Sequence, residues 1–288
     1  MPMQFADRLN NVETSAIREL FKLLGKPGII SFAGGFPDSA MFDVDGIREA
    51  VNAALTEEAG ATLQYGATEG YQPLREQLAA FMTSKGNQGV TANDLIVTTG
   101  SQQALDLLGK TLISPGDKVI VEGPTFLATI QCFRLYGAEL ISAPVDGHGV
   151  KTDELEKLIA EHKPKFVYLI PTFGNPSGAL MNAERRKQVL EMAVKHQTLI
   201  VEDDPYGDLY FGETPPPSLL ALSSTVPGSR ELLVHCGSLS KVLSPGLRVG
   251  WMVAPAELLG KATMCKQFSD AHTSTFAQAT AAQYLLAG

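Results

Sequence analysis

Lys241 lies in Cys236-Gly237-Ser238-Leu239-Ser240-Lys241-Val242-Leu243-Ser244-Pro245-Gly246-Leu247-Arg248, where small residues crowd one lysine and an arginine follows seven residues later. Desolvation or a neighbouring cation lowers a lysine's pKa and makes its amine a nucleophile. Hydroxyls and a guanidinium nearby are donors suited to a phosphate dianion. Ser238 and Lys241 also have the Ser-x-x-Lys spacing of acyl enzymes, but the companion Lys-Thr-Gly is missing, since Lys151-Thr152 continues into Asp153. A second cluster is Thr98-Thr99-Gly100-Ser101-Gln102-Gln103-Ala104, where a strand pattern gives way to a helix. Its first-turn amides and the Ser101 hydroxyl can hold an anion, unless Ser101 is simply a helix cap. Neither Gly-x-x-x-x-Gly-Lys-Ser/Thr nor Gly-x-Gly-x-x-Gly occurs, which disfavours a nucleoside triphosphate or a dinucleotide.

Two more clusters, Pro171-Thr172-Phe173-Gly174-Asn175-Pro176-Ser177-Gly178 and Val201-Glu202-Asp203-Asp204-Pro205-Tyr206, also follow apolar runs. Each alone reads equally well as a turn or a solvated surface. Together, one lysine, one anion cradle, one carboxylate and an Asn–Tyr pair describe a site for a phosphorylated aldehyde cofactor, pyridoxal phosphate.

The elements that must position these residues alternate between strand and helix. Apolar runs at 95–98, 119–121, 139–142, 166–170, 199–201, 232–235 and 249–253 are mostly continuous, as in strands buried on both faces of a parallel sheet. Helical spacing separates them at 101–112, 152–162 and 183–196. Earlier helices are expected near 47–58 and 71–85, and one long helical pattern runs from Pro255 onward. The order implies an α/β fold, a mostly parallel seven-stranded sheet sandwiched by helices, with ligands at the carboxyl ends of the strands.

The sequence has 288 residues, 44% of them hydrophobic and 19% charged, which excludes disorder as the main state. With 23 Lys and Arg against 31 Asp and Glu the net charge is -8, and no basic run appears, so no nucleic-acid partner is expected. Cys132, Cys236 and Cys265 form no CxxC pair, and the five histidines show no metal spacing, so no bound metal is expected. No signal core or membrane-length apolar run is seen, and the expectation is a cytoplasmic protein.

Around 98–103, 171–178, 201–206 and 238–251 the sequence resembles the fold-type I, class I/II aminotransferases, nearest the 2-aminoadipate, kynurenine and MocR-related group. The resemblance implies transfer of an amino group from an L-amino acid to a 2-oxo acid, with pyridoxal 5'-phosphate as cofactor. By motif position it implies that Lys241 bonds to the cofactor aldehyde and that Asp203 pairs with the ring nitrogen. Asn175 and Tyr206 then bond the phenolic oxygen, and Ser101, Gln102, Ser238 and Arg248 hold the phosphate. Phe126 stacks on the ring where many relatives carry Tyr, and Gly174 stands where relatives often have Gln. Strand alternation turns the rival carboxylates Glu202 and Asp204 away from the face of Asp203. Tyr65 is implied to reach the other subunit's phosphate in a homodimer. Arg18, Gly35 and Asn175 are implied to line the substrate site.

The resemblance divides the chain into an N-terminal arm with the start of a small domain, 1–45, and a cofactor-binding large domain, 46–288. It also implies a C-terminal small domain carrying the arginine for the substrate α-carboxylate, and the sequence stops on the helix that would lead there. Cofactor binding without transamination is the expectation for these 288 residues by themselves. Two other readings keep the same site: a lyase performing β-elimination or decarboxylation, and a non-catalytic, cofactor-sensing regulatory module.

Overall fold

The computed structural model describes residues 3–9, 35–212, 214 and 216–288. Helices α1 (Val44–Glu57), α2 (Ala59–Leu63) and α3 (Gln72–Ser84) come first, α1 capped by the Asp43 side chain, which accepts from the Gly46 amide. The alternating part follows as β1 (Leu95–Thr99), α4 (Ser101–Leu112), β2 (Lys118–Gly123), α5 (Leu127–Leu135), β3 (Glu139–Asp146), β4 (Gly149–Val150) and α6 (Thr152–His162). It continues as β5 (Phe166–Leu169), α7 (Ala183–His196), β6 (Leu199–Asp204), α8 (Leu219–Leu222), β7 (Leu233–Ser238), β8 (Val249–Val253), α9 (Ala256–Ser269) and α10 (Thr275–Ala287).

One sheet carries the order β1-β8-β7-β6-β5-β2-β3-β4. The four pairings from β3 through β2, β5 and β6 to β7 are parallel, while β8 runs antiparallel to both β7 and β1. The mostly parallel α/β fold is as the sequence implies, but the strand count is eight rather than seven. The extra strand, β4, pairs Val150 with Val145 and Gly149 with Asp146 at the sheet edge. Two residues are too few to show a period, and the reversal depends on Gly149 at φ 86°. The helical pattern after Pro255 is likewise two helices, broken where Ala271 adopts φ 61° and Ser274 caps α10.

Helices cover both faces of the sheet. On one side Leu74, Leu78 and Met82 of α3, Leu155 and Ile159 of α6, and Val189 and Leu190 of α7 pack on Ile120, Val167 and Ile200. On the other, Leu105 and Leu108 of α4, Phe133 of α5 and Ala262 of α9 pack on Val119, Phe166, Val201 and Val234. Parallel strands buried on two faces need this sandwich. Among the described residues no helix is long and apolar enough to cross a membrane. The sequence candidate Arg18 and most of the expected arm lie outside the described residues.

Candidate active site

Because β1 and β7 both oppose β8, the carboxyl ends of β1, β2, β5, β6 and β7 share one edge of the sheet. Asp203 stands at that edge of β6 and is buried. Its Oδ2 accepts a 2.6 Å hydrogen bond from the Tyr168 hydroxyl, which in turn accepts from Thr129 Oγ1 at 3.1 Å. Its Oδ1 is buried with no hydrogen-bond partner among the described residues. Burial pushes the carboxyl up to about 6, against the lowering effect of the Tyr168 bond. An acid in this state is matched to a cationic N–H donor.

Alternation sends Glu202 to the opposite face. Its carboxylate accepts from the Leu219 and Leu220 amides at 2.7 and 3.2 Å, meets His235 Nδ1 at 2.8 Å, and lies 3.8 Å from Arg186. Asp204 turns toward Gly207. Both rivals therefore leave the Asp203 face.

Asn175 and Tyr206 come together across two loops, with Asn175 Nδ2 donating to the Tyr206 hydroxyl at 3.3 Å. The loop carrying Asn175 is fixed from beneath by the fully buried Arg186, whose guanidinium donates to the carbonyls of Met181 and Pro171 and to Thr172 Oγ1 at 2.8, 3.0 and 2.9 Å. Phe126 precedes α5 and packs, with Tyr206, against the same apolar cluster as Tyr168.

Beyond β7 the chain turns tightly, and the Leu239 amide donates to the Val249 carbonyl at 3.0 Å, so the Lys241 loop is stitched to the start of β8. Buried Ser238 donates to Ser240 Oγ at 2.8 Å. Lys241 is partly buried, desolvation lowers its pKa, and its Nζ donates to the Gly35 carbonyl at 2.9 Å. Arg248, held at φ 56°, donates to the Thr99 carbonyl at 3.3 Å. A Cβ on Gly100 would strike this guanidinium, and Gly100 adopts φ 73°, so glycine is required there. Gly250 similarly admits the backbone of Gly100 and Ser101, which a Cβ there would strike at 2.7 Å. The result sets a cation against the amino end of α4, whose cap is Gly100 rather than Ser101. Ser101 and Gln102 occupy the first turn, where amides have no intrahelical acceptor.

The structure thus gathers Ser101, Gln102, Arg248, Ser238, Lys241, Asp203, Tyr206, Asn175 and Phe126 along neighbouring strand ends, with Gly35 beside Lys241. Tyr65 is not brought there within one chain. It is 86% exposed, and its ring meets His272 edge-on with centroids 5.8 Å apart. Sequence reasoning missed Tyr168, Thr129 and Arg186, which support the site from behind. The signal available was a hydroxyl or a cation inside an otherwise apolar pattern.

The sequence family described as aminotransferase class I and II matches residues 28–287. Aromatic-amino-acid aminotransferase 1 of Thermococcus litoralis is 39% identical over 99% of this chain and 68% of its own length. The 2-aminoadipate transaminase of Thermus thermophilus is 43% identical over 93% of this chain and 66% of its own. Among solved structures, LysN, an α-aminoadipate aminotransferase from Thermus thermophilus complexed with N-(5'-phosphopyridoxyl)-L-leucine, superposes with a TM-score of 0.89 at 40% identity. That superposition covers 98% of this chain and 69% of the solved one, so the chain spans about two thirds of the length of the relatives it matches. The chain belongs to the class I and II aminotransferases, the transaminases that work with pyridoxal 5'-phosphate on the type I fold.

Proposed function

We propose that this chain forms the cofactor-holding part of a transaminase that moves the amino group of an L-amino acid onto a 2-oxo acid. The observation carrying this is Asp203: a buried acid with one oxygen unpartnered among the described residues, one strand away from the loop of a partly desolvated lysine. The residues fit pyridoxal 5'-phosphate at both ends, since Arg248 and the amino end of α4 form a cationic cradle beside the strand edge. When bound, that group supplies an electron sink for the pair left behind as the substrate α-proton departs.

The chain's own side chains have separable tasks in this reading. Lys241 would hold the cofactor through Nζ, and its amine would hold and move the proton at the substrate α-carbon, a role worth roughly 10²- to 10⁴-fold. Asp203 keeps the ring nitrogen protonated, and in a dry site that pairing is far stronger than in water. Tyr168 orients Asp203 through its 2.6 Å bond. Asn175 and Tyr206 bond the phenolic oxygen, Phe126 covers one ring face, and Ser101, Gln102, Ser238 and Arg248 bind the phosphate.

The substrate side is supported by the Lys241–Gly35 contact, which puts the Gly35 backbone within 2.9 Å of the reacting amine. Arg18 and Asn175 complete that side in this proposal. The names of the relatives support acidic, aromatic and branched amino donors. A homodimer in which the exposed Tyr65 reaches the other subunit's phosphate belongs to the same reading. So does a cytoplasmic setting, which three free cysteines suit.

Borohydride reduction of the protein loaded with pyridoxal phosphate, followed by peptide mapping, tests the assignment. A label on Lys241 is expected, and a label on any other residue overturns it. Product analysis of the full-length protein with an amino donor and 2-oxoglutarate separates the reaction classes: a new amino acid is expected, and ammonia or carbon dioxide release would replace transfer by a lyase reaction.

A further inference from the structure

A second lysine lies behind the cradle. Lys266 of α9 is fully buried, and its Nζ donates to Asp270 Oδ1 and Oδ2 at 2.9 Å, to Gln103 Oε1 at 2.8 Å and to Thr273 Oγ1 at 3.0 Å. Asp270 Oδ2 also accepts from Gln103 Nε2 at 2.7 Å and from Thr99 Oγ1 at 3.0 Å. Gln103 closes the circuit by accepting from the Thr99 amide at 2.8 Å. Thr99 is the residue whose carbonyl receives Arg248 and whose chain leads through Gly100 into α4. The lysine network therefore fixes the strand-to-helix turn at Thr99, the residue that also receives Arg248.

The charge of Asp270 matters as much as its bonds. Its side chain is 28% exposed, and it lines the same cleft as Gln102, Gln103 and Arg248. A bare carboxylate there would oppose a phosphate at the amino end of α4. Lys266 sits between its two oxygens and cancels that charge, while leaving the oxygens free to orient Gln103 and Thr99.

We infer that Lys266 is a positioning residue of the phosphate cradle, neutralising Asp270 so that this carboxylate can brace Thr99 and Gln103 without repelling the phosphate. This rests on the cofactor reading above. The sharp observable is selectivity for pyridoxal 5'-phosphate over pyridoxal, which lacks the phosphate, measured by titrating the apo full-length chain and following absorbance.

Lys266→Met, which strands Asp270 as an unpaired anion, is expected to lower that selectivity at least tenfold by weakening pyridoxal phosphate and sparing pyridoxal. The double variant Lys266→Met with Asp270→Asn, which keeps an acceptor for Gln103 and Thr99 but removes the charge, is expected to return within about threefold of the parent. Asp270→Asn alone, which leaves the Lys266 cation rather than an anion beside the cradle, should hold or raise the selectivity. The inference is overturned if Lys266→Met loses both ligands equally or neither, if the double variant is as poor as the single one, or if Asp270→Asn lowers selectivity tenfold. A parent protein that does not prefer the phosphate ester, or is not labelled at Lys241 by borohydride, breaks the cofactor reading instead.

Discussion

Glu202 and Asp203 are consecutive residues of β6, both buried, and their carboxyls are driven in opposite directions. For Glu202, burial is outweighed by the bond from His235 and by nearby Arg186 and backbone amides, so its pKa is lowered. For Asp203, burial prevails because Tyr168 supplies a single bond and the second oxygen has no partner among the described residues. One face of the strand holds a carboxylate already satisfied, and the other holds one with a bond still to give. The contrast separates a carboxylate that serves the fold from one that serves a ligand, on grounds of partner count rather than burial.

The contrast can be broken most forcefully at Glu202. Replacing it with Ala strands Arg186 and His235 without their counter-charge, and the expected loss in urea unfolding is about 3–5 kcal/mol. Asp203→Asn should instead cost no stability at neutral pH while lowering kcat of the holoenzyme by roughly 10²- to 10³-fold, the scale of one preorganised electrostatic partner. If Asp203→Asn unfolds the protein and Glu202→Ala does not, the two faces have been read the wrong way round.

Tyr168→Phe sharpens the comparison by removing the side-chain bond that Asp203 receives among the described residues. Loss of a hydrogen bond to a charged group is worth about 1.5–3 kcal/mol, so kcat/KM is expected to fall at least tenfold. The apo protein's Asp203 should titrate higher still, because the bond favours the ionised form.

The smallest effect is on the pH dependence of stability. Asp203 titrates near 6 when folded and near its ordinary value of 3.8 when unfolded. Between these values the folded apo protein holds the extra proton, so this residue's contribution is fully present below about 3.8 and is lost as pH rises through about 6. Asp204, also pushed up to about 6, and Glu122, pushed up to about 7, act with the same sign. The difference between parent and Asp203→Asn in urea unfolding from pH 4 to 7 therefore isolates it, and a difference that does not change across that range rules the assignment out.

The convergence of strand-end clusters was legible in the sequence because parallel strands point their carboxyl ends one way. A motif placed just after each apolar run must then meet its neighbours. The turn of Glu202 away from Asp203 was legible for the same reason, from period-two alternation. What lay behind the site was not. Tyr168 sits in an apolar strand run, and only the fold reveals that its hydroxyl ends under Asp203. Lys266 and Asp270 look like an ordinary helical i,i+4 pair, of a kind found on most solvated helices, and nothing local says that both meet Gln103. The two-residue β4 is below the length at which any pattern exists. Tyr65 was read for a role between subunits, which no contact inside one chain can test.

The placement of β8 has a consequence for how the protein is made. Among the described residues β1 pairs in the sheet with β8 alone, although β8 lies far along the chain from it. During synthesis, the edge of β1 that faces β8 must wait unpaired until residues 249–253 leave the ribosome. The same strand brings Gly250 against Gly100, so the anion cup is closed by one late insertion. Until those residues emerge, the cup that would hold the phosphate in the cofactor reading lacks the strand that closes it.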